Sequence, residues 1–205
     1  MRHIFKLLAA SVAAATICSC SSLTGYPTDA EASYAKAIEI AKKSVDTDKF
    51  KVYSLSFMEG EPLSDNLFLI SVKLVNKDNQ AFSQSYYMTG LEPTALSDVQ
   101  RTFVGIDLTK LDAAQIAAQI AQAKTMLPEG HSFKSVGSYQ IEEDVPAGNS
   151  VFNRNKTFGK QHTSFVVRFT EDGKETESSA GKTSYIYYEA EVTVEPDGTL
   201  SIEEN

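Results

Sequence analysis

The sequence predicts an α+β protein in which two helices cover one face of an antiparallel sheet. Apolar residues recur at helical spacing in two stretches, near 29–46 and 109–127, and several segments of alternating apolar and polar residues follow each stretch. Short turns such as Lys77-Asp78-Asn79 join the alternating segments, which favours antiparallel hairpins. Helices and a sheet that each have one apolar face bury those faces against each other, so the pattern predicts the class.

The start of each helix carries the spacing of a capping box. Thr28-Asp29-Ala30-Glu31 precedes the first helix and Thr109-Lys110-Leu111-Asp112 precedes the second. In such a box the hydroxyl and the carboxylate each accept a hydrogen bond from a free backbone N–H group. Pro128 to Gly130 ends the second helix, since proline and glycine do not continue it.

Alternation predicts four strands after each helix. The segment after Leu67 is the clearest, because Phe68, Ile70, Val72 and Leu74 share one face. The first four strands are predicted over 50–58, 67–76, 81–89 and 102–107. The second four begin with Ser132-Phe133-Lys134 and continue through Phe165 to Phe169, 184–194 and 199–203.

The order of one helix and four strands therefore occurs twice. This predicts two αββββ modules, 28–108 and 109–205, whose strands form one sheet or two. A single α+β domain with two unrelated helices is the alternative, because few residues match between the copies. The second copy is longer mainly through Asp144 to Gln161, and loops of this length are usually functional or disordered.

Residues 1–19 have the layout of a secretory signal peptide, and 20–27 of a short polar tether. Arg2 and Lys6 give a positive start, and the apolar run that follows is too short to span a bilayer. We therefore expect the folded body to lie outside the cytoplasm.

The end of this signal, Ile17-Cys18-Ser19-Cys20, resembles the bacterial lipobox. The resemblance implies acyl chains on Cys20; Cys18 fits worse, because Ile17 would then occupy a position that needs a small residue. A lipobox followed by an acidic, cysteine-poor body makes the chain similar to the lipoproteins of Bacteroides-type bacteria. This resemblance implies that the protein is located at the outer membrane of a Gram-negative bacterium. Ser21 and the lack of a following acidic run favour the periplasmic face over the cell surface.

Without residues 1–19 the chain is strongly acidic. The 19 basic side chains less Arg2 and Lys6 leave 17 against 27 acidic ones, a net charge of −10. Nucleic acid and anionic head groups need a basic footprint, so we expect no nucleic-acid partner and attachment to the membrane only through the lipid on Cys20. Both cysteines lie within residues 1–20, so the body has neither a disulfide nor a thiolate nucleophile.

No motif predicts catalysis, a metal or a cofactor. His131 and His162 could form a metal or acid–base site with Glu142, Glu143 and Asp144, but their spacing matches no metal motif. The sequence has no Gly-x-Ser-x-Gly elbow. We interpret the protein as non-catalytic; the alternatives are an enzyme or accessory subunit in envelope glycan or peptide processing, and a purely structural envelope component.

The long loop is the first candidate for partner binding. No acidic residue occurs from Val145 to Thr170. A basic, aromatic loop on an acidic body can contact an acidic or glycan-bearing partner; alternatively, its phenylalanines fold back on the sheet edge. The candidate residues are Phe152, Arg154, Lys156 and Phe158.

The second candidate is a pair of tyrosines, Tyr185 and Tyr187. They share a face with Glu189 and Glu191 if Ile186, Tyr188, Ala190 and Val192 face the helix, and Tyr87 falls on the corresponding face of the first module. Exposed tyrosines suit recognition, because they bury a large area with few rotatable bonds. The alternative is that packing between sheets or modules hides the rings.

The repeated order of elements and the ending Glu191-Val192-Thr193-Val194-Glu195-Pro196-Asp197-Gly198-Thr199-Leu200 are similar to PepSY-like modules and to the duplicated modules of β-lactamase-inhibitor-like proteins. This resemblance implies protein binding or protease inhibition. We therefore expect a lipid-anchored extracytoplasmic binding module, without a cofactor, whose partner is a protein, a glycan or another macromolecule.

Overall fold

The computed structural model describes residues 25–86, 94–99, 104–146, 158–179 and 181–202. Within them the chain is α+β, as the sequence predicts, with two α-helices and a large antiparallel sheet. The elements are α1 (Glu31–Ser44), β1 (Phe50–Glu59), β2 (Leu67–Asn76), β3 (Gln80–Tyr86), β4 (Thr94–Val99), the 3₁₀ turn η1 (Leu108–Lys110), α2 (Ala113–Thr125), β5 (His131–Glu143), β6 (Gln161–Glu171), β7 (Thr176–Ser179), β8 (Lys182–Tyr185), β9 (Tyr188–Val194) and β10 (Leu200–Ile202).

Eight of the described strands form one sheet in the order β10-β9-β6-β5-β1-β2-β3-β4, and β7 and β8 form a separate hairpin. The first strands after the two helices, β1 and β5, pair at the centre of this order. Apart from the β7–β8 hairpin, the described strands that follow α1 and those that follow α2 therefore belong to a single sheet, a point that the sequence leaves open.

Both helices pack on one face of this sheet. In β2, Ile70, Val72 and Leu74 are fully buried against the helices, whereas Ser71 and Lys73 point to the opposite face. Phe68, predicted on the buried face, is exposed instead. A register shift at the end of β1 pairs Glu59 with Leu67, so Leu67 takes the buried place.

An aromatic cluster joins α1 to the central strands. The ring of Tyr34 meets Phe57 and Tyr139 edge-on, with centroids 5.6 and 5.9 Å away. Tyr139 stacks on Phe165 at 5.5 Å. Offset and edge-on contacts of this kind add to the stabilisation from apolar burial.

The first predicted capping box does not form. α1 begins after Ala30, which makes no side-chain cap. Thr28 instead donates its hydroxyl hydrogen to Asp65 Oδ1 at 2.6 Å and accepts the N–H of Val136 at 2.8 Å. The partners are 37 and 108 residues away in sequence, so long-range contacts override the local cap.

The start of α2 uses two separate carboxylates. Asp112 caps the helix by accepting the backbone N–H groups of Ala114 and Gln115. Thr109, predicted as the cap, bonds Asp107 in the preceding turn, and these hydrogen bonds lower the pKa of Asp107. The segment predicted as one capping box therefore forms two separate turns, one capped by Asp107 and the other by Asp112.

Two predicted strands are wrong. The fourth strand is 94–99 rather than 102–107; Gly105, with φ of +87°, turns the chain, and Ile106 donates its N–H to the Val52 carbonyl. The long strand over 184–194 is broken between β8 and β9, because the Ile186 N–H donates to the Glu175 carbonyl at the base of the β7–β8 hairpin.

We predict an alkaline loss of stability from the tyrosines under the helices. Burial raises the pKa of Tyr34 and Tyr139, whose hydroxyls donate to the Thr28 carbonyl and to Gln119 Oε1. An unfolded phenol ionises near pH 10, so the free energy of unfolding holds below about pH 10 and falls above it, as the unfolded chain alone releases these protons. Urea unfolding at a series of pH values measures this fall.

Tyr139→Phe is expected to make the alkaline fall shallower. Tyr185→Phe, at an exposed position, is the matched control and is expected to leave the slope unchanged. An identical slope in all three proteins would contradict the assignment.

Candidate functional site

The face of the sheet opposite the helices carries a row of polar side chains, of which six are serine or threonine hydroxyls and one is a glutamine amide. Following the strand register from one strand to the next, one residue from each of seven strands falls in line across the sheet. At the usual strand spacing the row is about 29 Å long. We refer to it as the hydroxyl row, and its members, all partly exposed, are Ser201, Thr193, Ser164, Gln140, Ser56, Ser71 and Ser85.

A charged cluster lies along one side of the hydroxyl row. Glu142 Oε1 accepts the Ser54 hydroxyl at 2.9 Å and lies 3.6 Å from Lys73 Nζ. His162 is the cross-strand neighbour of Glu142, and its Nε2 lies 2.8 Å from Asp144 Oδ2. Except for Ser54, these side chains are more than two-fifths exposed, and ion pairs of this kind contribute about 1 kcal/mol or less.

The other side of the hydroxyl row is less polar. Val166, Ser138, Met58 and Leu69 fall in line there, with Glu191 at the outer end. The hydroxyl row therefore runs between a charged margin and a largely apolar one.

A buried ionic tie links both halves of the sheet near one end. Arg168 on β6 donates from Nη1 to Glu59 on β1 and from Nε to Glu189 on β9, the latter at 2.8 Å. The Glu59 side chain is fully buried, whereas that of Glu189 is 45% exposed. Burial lowers the pKa of Arg168, but the hydrogen bonds to Glu189 and Glu59 more than offset this and leave its pKa above the ordinary value.

Gly137 leaves the space through which the Arg168 side chain reaches Glu59. A Cβ at that position of β5 would lie 2.9 Å from Arg168 Cζ, so the guanidinium crosses β5 where there is no side chain. Tyr187 covers the same guanidinium, with the ring centroid 5.8 Å from Cζ. Sequence reasoning misses this tie, because Glu59 reads as the end of a strand and its partner is 109 residues away.

The two histidines do not share a site. His162 lies beside Glu142 and Asp144, but His131 is at the opposite end of β5, packed edge-on against Phe169 and Tyr188. Glu143 takes part in none of these contacts and instead accepts the N–H groups of 104 and 105. Over the described ranges, no three His, Cys, Asp or Glu side chains are placed to hold a metal ion.

The structure tests only part of the predicted partner-binding loop. Cys20, Tyr87, Phe152, Arg154 and Lys156 lie outside the described residues. Phe158 is described and partly buried. The base of the loop is closed by hydrogen bonds from Asp144 N–H to the Lys160 carbonyl and from Gly159 N–H to the Asp144 carbonyl.

The described residues of the two predicted binding surfaces lie at opposite ends of the sheet. Tyr185 is on the exposed β7–β8 hairpin and Tyr187 follows it, both after the C-terminal end of β6, whereas Phe158 precedes the N-terminal end. β6 has 11 residues, so the two ends are about 33 Å apart. Tyr188, Ala190 and Val192 do pack toward the core, whereas Glu189 and Glu191 pair with Arg168 and Val166 on the other face.

Comparisons with models of known protein families, with curated proteins and with solved structures found no match. Of the helices in the described ranges, none is long and apolar enough to cross a bilayer.

We predict that Arg168→Met destabilises the fold strongly. It leaves the Glu59 carboxylate buried without a cation, and removing one partner of a buried ion pair costs about 3–5 kcal/mol. Lys73→Met, which removes an exposed cation from the same face, is the matched control and costs less than about 1 kcal/mol. Urea unfolding of the three proteins measures the difference.

The double variant Glu59→Gln with Arg168→Met is expected to be more stable than Arg168→Met alone, because the uncompensated charge is gone. A double variant less stable than the single one would show that packing of Arg168, rather than charge pairing, dominates.

Proposed function

We propose that this chain is a non-catalytic binding protein that recognises another macromolecule across the hydroxyl row. The observation that supports this is the row itself: seven aligned polar side chains on a sheet face over which no described helix packs. Both helices pack on the other face, so the side chains of the row take no part in the core between helices and sheet.

The composition of the row favours a polar partner, and we propose a glycan chain. Serine is depleted in protein interfaces, whose binding energy comes mainly from tryptophan, tyrosine and arginine. None of these occurs in the row. A hydroxyl is both donor and acceptor, so a line of them matches a polymer that presents hydroxyls of its own.

The charged cluster supports binding better than catalysis. A nucleophile and its base need to be within hydrogen-bond reach, with a third group orienting the base. Ser54 donates to Glu142, and His162 pairs with Asp144, so serine and histidine are engaged with different carboxylates. The alternative, an enzyme or accessory subunit in envelope processing, would need these pairs to rearrange.

We further propose that residues 28–108 and 109–205 are two related αββββ modules. The order of the sheet supports this: outward from the central β1–β5 pair, β2, β3 and β4 lie on one side and β6, β9 and β10 on the other. β7 and β8 would be an insertion in the second module. Superposition of the two segments in an experimental structure tests this, and helices that cross their strands at unrelated angles would refute it.

The anchor completes the proposal: Cys20 carries acyl chains that hold the body on the periplasmic face of the outer membrane. The lipobox resemblance supports the lipid, and the net charge of −10 makes direct adsorption to anionic lipid unfavourable. Protease added to intact cells tests the side, since a periplasmic protein survives and a surface protein is lost.

We predict that obstructing the row abolishes binding. Lipid-free protein, residues 21–205, is used to capture polysaccharide and protein from detergent-treated envelopes. Ser71→Arg with Ser164→Arg places long charged side chains in the row and is expected to lose the captured glycan. Gln115→Arg with Gln122→Arg adds the same charge at exposed positions on α2 and is expected to retain it.

A third variant separates the row from the loop. Phe152→Ala with Arg154→Ala and Phe158→Ala is expected to leave capture intact. Loss of the ligand in this variant alone would move the binding surface to the loop, and a captured protein in place of a glycan would overturn the choice of partner. Capture that none of the variants changes would sink the proposal for the row.

A further inference from the structure

The chain enters the fold through a segment that is fixed to one end of the sheet. Tyr26 donates its N–H to Asn66 at 2.9 Å and accepts the N–H of Leu67 at 2.7 Å. Thr28, fully buried, bonds Asp65 through both its N–H and its hydroxyl and accepts the N–H of Val136. The entry segment, residues 25–28, is therefore bonded to the β1–β2 connection and to β5.

The β1–β2 connection is held in turn by the ionic tie. Asp65 donates its N–H to Glu59 Oε1 at 2.7 Å, and Glu59 also accepts the hydroxyl of Ser135 at 3.0 Å. Leu63 and Asp65 have φ of 64° and 45°, a conformation that non-glycine residues adopt rarely and that surrounding contacts have to hold. The place where the chain enters the folded body is thus held by specific hydrogen bonds and by an uncommon backbone conformation.

This place defines an anchor end of the sheet. It comprises the C-terminal ends of β1 and β6, the N-terminal ends of β2 and β9, and the residues that connect them. From Cys20, residues 21–25 can reach at most about 17 Å. β5 is about 40 Å long for its 13 residues, so the reach of residues 21–25 is less than half the length of this strand.

Exposed apolar side chains gather toward the same end. Among the described residues the exposed large hydrophobics are Met58, Phe68, Val104 and Tyr185. Met58 lies next to the end of β1, Phe68 is the second residue of β2, and Tyr185 ends the hairpin that follows β6. Only Val104 lies at the other end, where its N–H bonds Glu143 at the end of β5.

We propose that the anchor end is a membrane-contacting surface whose occupant is the bilayer that holds the lipid of Cys20. This inference rests on the lipid anchor proposed above. The short tether brings this end to the head groups, where Met58, Phe68 and Tyr185 find an interface suited to apolar and amphipathic side chains. Phe158 then lies at the end of the sheet that is remote from the membrane.

Vesicles test the orientation without depending on lipidation in the cell. Cys20 is the only cysteine in residues 20–205, so its thiol can be coupled to a maleimide lipid in phosphatidylcholine vesicles. The chain has no tryptophan, so one can be placed at the anchor end by Phe68→Trp or at the far end by Lys77→Trp. Brominated phosphatidylcholine quenches tryptophan only at the bilayer.

We expect a several-fold larger loss of fluorescence for Phe68→Trp than for Lys77→Trp, and a smaller loss for Phe68→Trp when a long Gly-Ser spacer is inserted before Gly25. Equal quenching at both positions, or stronger quenching at Lys77→Trp, would overturn the orientation.

Mass spectrometry of the native envelope protein separately reports whether Cys20 carries acyl chains. A Cys20 without acyl chains would contradict the proposed lipid anchor. The vesicle result would still show which end of the sheet the entry segment brings to the bilayer.

Discussion

The buried carboxylate of Glu59 is the constraint on which much of this structure depends. An ionised group with no solvent exposure has to be compensated by a cation or by hydrogen bonds. Glu59 receives Arg168 from β6, Ser135 from β5 and the backbone of Asp65 from its own connection. Satisfying one charge thus fixes the position of two neighbouring strands, the conformation of the β1–β2 connection and, through Asp65, the entry of the chain. Arg168 extends the same constraint to β9 through Glu189.

Periodicity in the sequence predicts the class and most elements, because it reports the local condition that each element has one apolar face. Both helices and the strands containing Val72 and Val167 follow from it. What it does not predict is set by partners far away in sequence. Thr28 resembles a helix cap but bonds Asp65 and Val136, and the strand expected through Ile186 breaks because its N–H is taken by Glu175.

In the candidate site, too, local periodicity predicts some features and long-range pairing sets the others. Alternation predicts which face Ser56 or Ser164 occupies, but only the register places them in one line, and register depends on bulges such as that between Val52 and Ser54. Of the two surfaces proposed from sequence, the tyrosines lie near the ionic tie and the loop is rooted at the other end of the sheet.

The central pairing of the sheet has a mechanical consequence. β1 and β5 share only five residue pairs, from Ser54–Glu142 to Met58–Ser138, whereas β5 and β6 share eleven. This central seam is thus shorter than the pairing on either side of it, since β1 and β2 share nine residue pairs, and separating the two halves of the sheet there breaks fewer pairs than separating either neighbouring pair of strands. Thr28 bonds Asp65 on one side of this seam and Val136 on the other. A pull transmitted along the chain to Thr28 therefore reaches both sides of the seam rather than one.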